Sequence, residues 1–117
     1  MIRHINEQGS VNVSSSVYVD IAGTVASNCF GVKGMAARSV KDGLYHLLRV
    51  ESMAKGVRVE FHEDNSISID LHIIVDNGVN LSSVGQSIIE RVRYEVTQYT
   101  GTKVRDVNVF IDSMQVD

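Results

Sequence analysis

Residues 57–61 and 67–75 of this chain alternate apolar and polar side chains on either side of a short polar turn, which leaves them little freedom in how to fold. Val57, Val59 and Phe61 are apolar, with Arg58 and Glu60 between them. After Glu63-Asp64-Asn65, Ile67, Ile69, Leu71, Ile73 and Val75 are apolar, interleaved with Ser68, Asp70 and His72. Strand side chains point alternately to two faces, so this pattern predicts an antiparallel hairpin with one apolar face. The register follows as well. Setting Phe61 opposite Ile67 brings Val59 to Ile69, Val57 to Leu71 and Arg58 to Asp70. Apolar residues then share one face and an opposite-charge pair meets on the other.

An apolar sheet face needs cover, and two segments have the period to supply it. Val17, Ile21, Val25 and Cys29 recur every four residues, with Tyr18, Ala22 and Ala26 beside them. That stripe predicts an amphipathic helix, introduced by a serine cap within Ser14-Ser15-Ser16 and stopped near Gly31. Over 82–100, Val84, Ile88, Val92, Val96 and Tyr99 form a second stripe, ended by Gly101. Ahead of it, Asp76-Asn77-Gly78 reverses the chain. Asn80, Ser82 and Ser83 are rival caps; Ser83 with Gln86 matches a capping box, and Leu81 is a candidate staple. Val11 and Val13 suggest a short first strand. Val40, Leu44, Leu47 and Leu48 suggest a short helix interrupted by Gly43, and 104–111 reads as a last strand.

This order predicts an α+β fold, a two-layer sandwich in which two main helices pack on one face of a small, mostly antiparallel sheet, forming one domain over residues 1–117. The opposite sheet face, with Arg58, Glu60, Asp70, His72, Asn108, Phe110 and Ile74, is left uncovered. It is either ordinary solvent surface or a docking surface for another subunit, with Phe110, Ile74 and Arg58 as the candidate interface residues.

Composition narrows the function. A chain of 117 residues with 44% apolar and 21% charged residues is ordinary for a globular protein. No apolar run reaches the roughly 18 residues of a membrane span, and the N-terminus lacks the pattern of a signal peptide. A single cysteine fits a reducing cytoplasm. Between Gly31 and Arg58, six cations against two acids give +4, leaving −7 for the rest of a chain of net charge −3. Lys33, Arg38 and Lys41 within that segment are candidate contacts for an anionic partner.

Catalytic and metal chemistry find little support. The four histidines form no HxxxH pair, and there is no second cysteine. Cys29 falls on an apolar stripe, the place of a small buried hydrophobe. No metal or cofactor is expected. Gly31-Val32-Lys33-Gly34 has the GxxG form with which KH domains clamp a nucleic-acid backbone, but the favoured reading is a structural turn. The acidic remainder and 6% aromatic content argue against broad nucleic-acid binding.

Several segments together resemble the alkaline-shock and general-stress protein family of Gram-positive bacteria, in its short branch. They are Gly9-Ser10-Val11-Asn12-Val13, Cys29-Phe30-Gly31-Val32-Lys33-Gly34-Met35-Ala36, Lys41-Asp42-Gly43-Leu44, Lys55-Gly56-Val57-Arg58-Val59, residues 69–75, Gly78-Val79-Asn80 and Val107-Asn108-Val109. The resemblance implies a small cytoplasmic α+β protein without catalytic residues, linked to envelope and alkaline stress. It further implies a scaffold or adaptor that forms homo-oligomers, docks on other proteins, and can be held at the membrane by a separate anchored partner. A KH-like nucleic-acid module using the GVKG turn and segment 31–58 is the alternative.

Overall fold

A computed structural model of the chain describes residues 1–36 and 56–115. Its elements are β1 (Ile2–Asn6), β2 (Gly9–Val13), α1 (Ser15–Ser27), β3 (Val32–Met35), β4 (Val57–Phe61), β5 (Ser66–Asp76), α2 (Leu81–Thr100) and β6 (Lys103–Gln115). The short helix expected around Val40–Leu48, like Arg38 and Lys41, lies outside the described residues.

β5 is the spine of the sheet. β4 pairs antiparallel with its first half in the register predicted from sequence, Arg58 opposite Asp70 and Phe61 opposite Ile67. β3 pairs antiparallel with its second half, Met35 opposite Ile73 and Val32 opposite Val75. β3 and β4 thus lie in line along one edge of β5 and meet at His72. The His72 N–H donates to the Gly56 carbonyl, and the His72 carbonyl accepts from the Ala36 N–H, both at 2.8 Å. Gly56 has φ +75°, and a Cβ there would fall 2.9 Å from the His72 carbonyl oxygen and 3.1 Å from that of Ala36. Only glycine fits so close a backbone approach.

β6 takes the other edge of β5, running parallel to it with shifts at Arg105 and Asp112. The sheet is mixed because α2 carries the chain from the end of β5 back to the start of β6, and a crossover through a helix joins parallel neighbours.

Both helices lie on one side. Ile67, Ile69, Leu71, Ile73 and Val75 of β5 are fully buried, beneath Val84, Ile88, Val92 and Val96 of α2 and Tyr18, Val19, Ala22, Val25 and Ala26 of α1. Burying each large aliphatic side chain contributes about 1.5–3 kcal/mol, so this line of β5 holds the two layers together. The two-layer α+β sandwich expected from sequence is the observed architecture.

Four local details differ from expectation. The buried side of α1 runs through Tyr18, Ala22 and Ala26, leaving Val17 39% exposed. The small Ala22 and Ala26, with Gly23 in contact range of Val57, let the helix lie close to the sheet on that side. Ser14 is the N-cap of α1, but its hydroxyl meets Ser16 Oγ at 3.1 Å rather than a backbone N–H. In α2 the Asn80 side chain accepts from the Ser83 N–H at 2.9 Å. The helix therefore starts one turn too early for a Ser83–Gln86 box. Its staple positions are Val79 and Val84, both of which close on Gly31, while Leu81 is 40% exposed. Finally, Tyr99 is 74% exposed, lying beyond the part of α2 that covers the sheet.

The N-terminal strand β1 carries no strand pattern in its sequence. Ile2 and Ile5 are three apart, which breaks period two, and in the hairpin β1–β2 they fall on opposite faces, Ile2 buried and Ile5 70% exposed. Asn6 Oδ1 accepts from the Gln8 N–H at 2.8 Å and tightens the two-residue turn.

Candidate functional site: the uncovered sheet face and its free edge

The even-numbered side chains of β5 point away from the helices and meet their neighbours from β4 and β6. At one end the face is a hydrogen-bonded polar lattice. The Arg58 guanidinium donates to Asp70 at 3.0 Å and to Glu60 at 3.2 Å. Asn108 donates to the second Asp70 oxygen at 2.9 Å. Ser68 donates to Asp106 at 3.2 Å and lies 2.6 Å from His62 Nε2. Arg58 Nε is buried without a hydrogen-bond partner among the described residues.

At the other end the face turns apolar. The His72 ring stacks on Phe110 with centroids 4.8 Å apart and planes at 13°, while its Nδ1 lies 3.2 Å from both Asp112 oxygens. Ile74 pairs with Gly34 on one side and Ser113 on the other. Ile74 is half-buried between these small neighbours, and Phe110 is 44% exposed.

The structure therefore separates the three candidate interface residues. Phe110 and Ile74 flank His72 in an apolar patch, whereas Arg58 belongs to the polar lattice, its charge already shared between two carboxylates. Sequence pairing gave the Arg58–Asp70 contact. The Phe110–His72 stack was not legible, because it depends on β6 lying parallel to β5.

Lys33, the described member of the proposed cationic set, lies 3.6 Å from Asp76. The GVKG segment is not a turn. The turn is at Phe30-Gly31, with Gly31 at φ +86°, and Val32–Met35 is a strand in which Gly34 lies opposite Ile74. The segment is extended rather than a glycine turn, so the turn geometry that suggested a KH-like clamp is absent from it.

Among the described residues no three His, Cys, Asp or Glu side chains are grouped to hold a metal, and His62 and His72 engage different partners. Cys29 is buried, its thiol 3.3 Å from the Val25 carbonyl. Burial pushes the thiol up from its ordinary value, with Arg91 opposing weakly, so it stays protonated and serves as a core residue. Asp64, at the β4–β5 turn, is held below the usual carboxylate range by the Ser66 hydroxyl. No described helix is long and apolar enough to cross a membrane.

These features define a class: a small α+β domain that presents a sheet face and a sheet edge. The particular family is given by the sequence. A family model described as having a cell envelope-related function, that of the alkaline-shock proteins, matches residues 3–116, and the chain belongs to this family. It is 37% identical over 109 residues to the uncharacterized protein YloU of Bacillus subtilis, covering 92% of this chain and 90% of that one. It is 36% identical over 111 residues to the uncharacterized protein Spy1614 of Streptococcus pyogenes, covering 94% and 91%. Among solved structures, forms of the MamM CTD are similar in fold. One has a TM-score of 0.52 at 15% identity over 87% of this chain and all of that one; another, a manganese form, has 0.51 at 16% over 86% and 99%.

Proposed function

We propose that this protein is a non-enzymatic, cytoplasmic scaffold or adaptor of the cell-envelope stress response, acting through self-association and protein contacts. It reaches the membrane through an anchored partner. The observation that carries this reading is the uncovered sheet face. Its charged side chains are already paired with one another, Arg58 Nε excepted, so an incoming protein meets a largely satisfied lattice beside the Phe110–His72–Ile74 patch and need not desolvate a free charge. The cell envelope-related family supports the setting.

Gel filtration with light scattering and an absorbance ratio tests the reading. The expected result is a mass above that of the 12.9 kDa chain, free of nucleic acid and little changed by salt. A strict monomer that co-purifies with nucleic acid, its binding falling steeply with salt, overturns it.

A further inference from the structure

We infer that the free edge of β6 is where a second copy of this chain docks, the two β6 strands pairing antiparallel about Val109 to join two sheets into one. This inference rests on the self-association in the proposed function and names its interface.

Among the described residues β6 is bonded to a strand on one side only. Near its start, Arg93 of α2 caps the outward carbonyls of Val104 and Arg105, at 2.6 and 3.4 Å. From Asp106 onward no such cap is present among the described residues. Proteins normally protect a sheet edge with lysine, proline, charge or a bulge, because unpaired N–H and C=O groups recruit another strand. The opposite edge carries Lys33, Arg58 and Glu60. On β6 the five residues Val107-Asn108-Val109-Phe110-Ile111 contain no charge and no proline, and they form a regular stretch between the two irregularities at Arg105 and Asp112.

That stretch is self-complementary. Pairing about Val109 sets Val107 opposite Ile111 on the helix side and Asn108 opposite Phe110 on the outer side, so both faces match. Pairing about Asn108 would put Asp106 against Phe110 and Arg105 against Ile111. Pairing about Phe110 would carry Val107 across the bulge onto Ser113, a residue of the other face. About Val109, the ends of the stretch bring Asp106 near Asp112. Each is already held within its own chain, by Ser68 and His72 respectively, and salt would relieve their repulsion.

A two-fold axis through Val109, normal to the sheet, keeps the helices of both copies on one side. The shallow groove beside β6, lined by Leu81, Gly85 and Ile89 of α2 and by Val109 and Ile111, then receives the partner's apolar strand side chains. Such an interface is isologous and closes at two copies.

The test uses exposed positions, so that folding is preserved. Asn108→Lys with Phe110→Lys places lysines opposite lysines twice across the axis and should raise the dimer dissociation constant about tenfold or more. Asn108→Lys with Phe110→Glu sets opposite charges at the same places and should restore the dimer. Ile5→Glu, at an exposed apolar residue of β1 away from β6 in the ladder, should keep the wild-type mass. Light scattering gives the mass, and circular dichroism checks the fold. The inference is overturned if the double-lysine protein keeps the wild-type mass, if the Lys/Glu protein stays monomeric, or if Ile5→Glu dissociates the dimer. In each of these cases the wild-type chain still self-associates, so the proposed function stands without this interface. A wild-type chain that is monomeric throughout overturns the self-association reading as well.

Discussion

Replacing Asp70 by lysine tests how far the polar lattice stabilises the hairpin. With Arg58 retained, a lysine at position 70 would face a like charge across the strand pair, where the Asp70 carboxylate now lies 3.0 Å from the guanidinium. At that separation and an effective dielectric of about 20, the Coulomb attraction is roughly 5 kcal/mol before desolvation. The two side chains are 30% and 18% exposed, so solvent and the second partners, Glu60 on Arg58 and Asn108 on Asp70, cut the net coupling to about 1–2 kcal/mol. In an Arg58→Glu background the same Asp70→Lys change rebuilds an ion pair of reversed polarity. Urea unfolding of the four proteins closes the cycle. Asp70→Lys should be more destabilising in the wild type than in the Arg58→Glu background by about 2 kcal/mol, with m-values unchanged. Equal effects in both backgrounds would refute the argument that this cross-strand pair adds stability beyond its register.

Three further predictions concern backbone and core. Gly56→Ala and Gly101→Ala both place a side chain at positive φ, but only at Gly56 does the new Cβ meet backbone atoms. Chemical denaturation should show a loss of roughly 3 kcal/mol at Gly56 and about 1 kcal/mol at Gly101; equal losses would contradict the close approach at His72. Burial raises the Tyr18 pKa, against the lowering effect of its 2.6 Å hydrogen bond to Thr102. Its contribution to stability should therefore be complete below the unfolded tyrosine value of about 10 and be lost as pH rises through the higher folded value. Urea midpoints measured across that range should fall less steeply for Tyr18→Phe, and identical slopes would count against a buried phenol. Cys29, buried and protonated, should react with a thiol reagent at least about tenfold more slowly in the native protein than in urea, and a native rate matching the unfolded one would show that the thiol is accessible.

Legibility differed by element. The β4–β5 hairpin could be read to the residue because two period-two runs admit one register that matches both faces and the charges. α2 was as clear, since Val84, Ile88, Val92 and Val96 repeat over four turns. β1 and β3 were missed for opposite reasons. β1 has the wrong apolar spacing for a strand, while β3 was hidden behind the glycines of GVKG, whose ladder position is set by β5 and not by local preference. Three residues, Asn80, Ser82 and Ser83, have the chemistry to cap α2, and the Asn80 side chain is the one that accepts from a helix N–H.

The sequence by itself determined the buried lines of β5 and of α2 from Val84 to Val96, because apolar periodicity is a local property, but not the buried side of α1, where Val17 is exposed, nor Ile2. It also determined the β4–β5 register, because a slip of one residue would turn one strand's polar side chains, Arg58 and Glu60 on β4, onto the apolar face of the other. Only the tertiary structure decided that β6 lies parallel to β5, because that depends on where α2 delivers the chain. From that single placement come the Phe110–His72 stack, the apolar patch beside the polar lattice, and the free edge along Val109. All three depend on contacts between residues some forty positions apart, a distance at which spacing in the sequence carries no register.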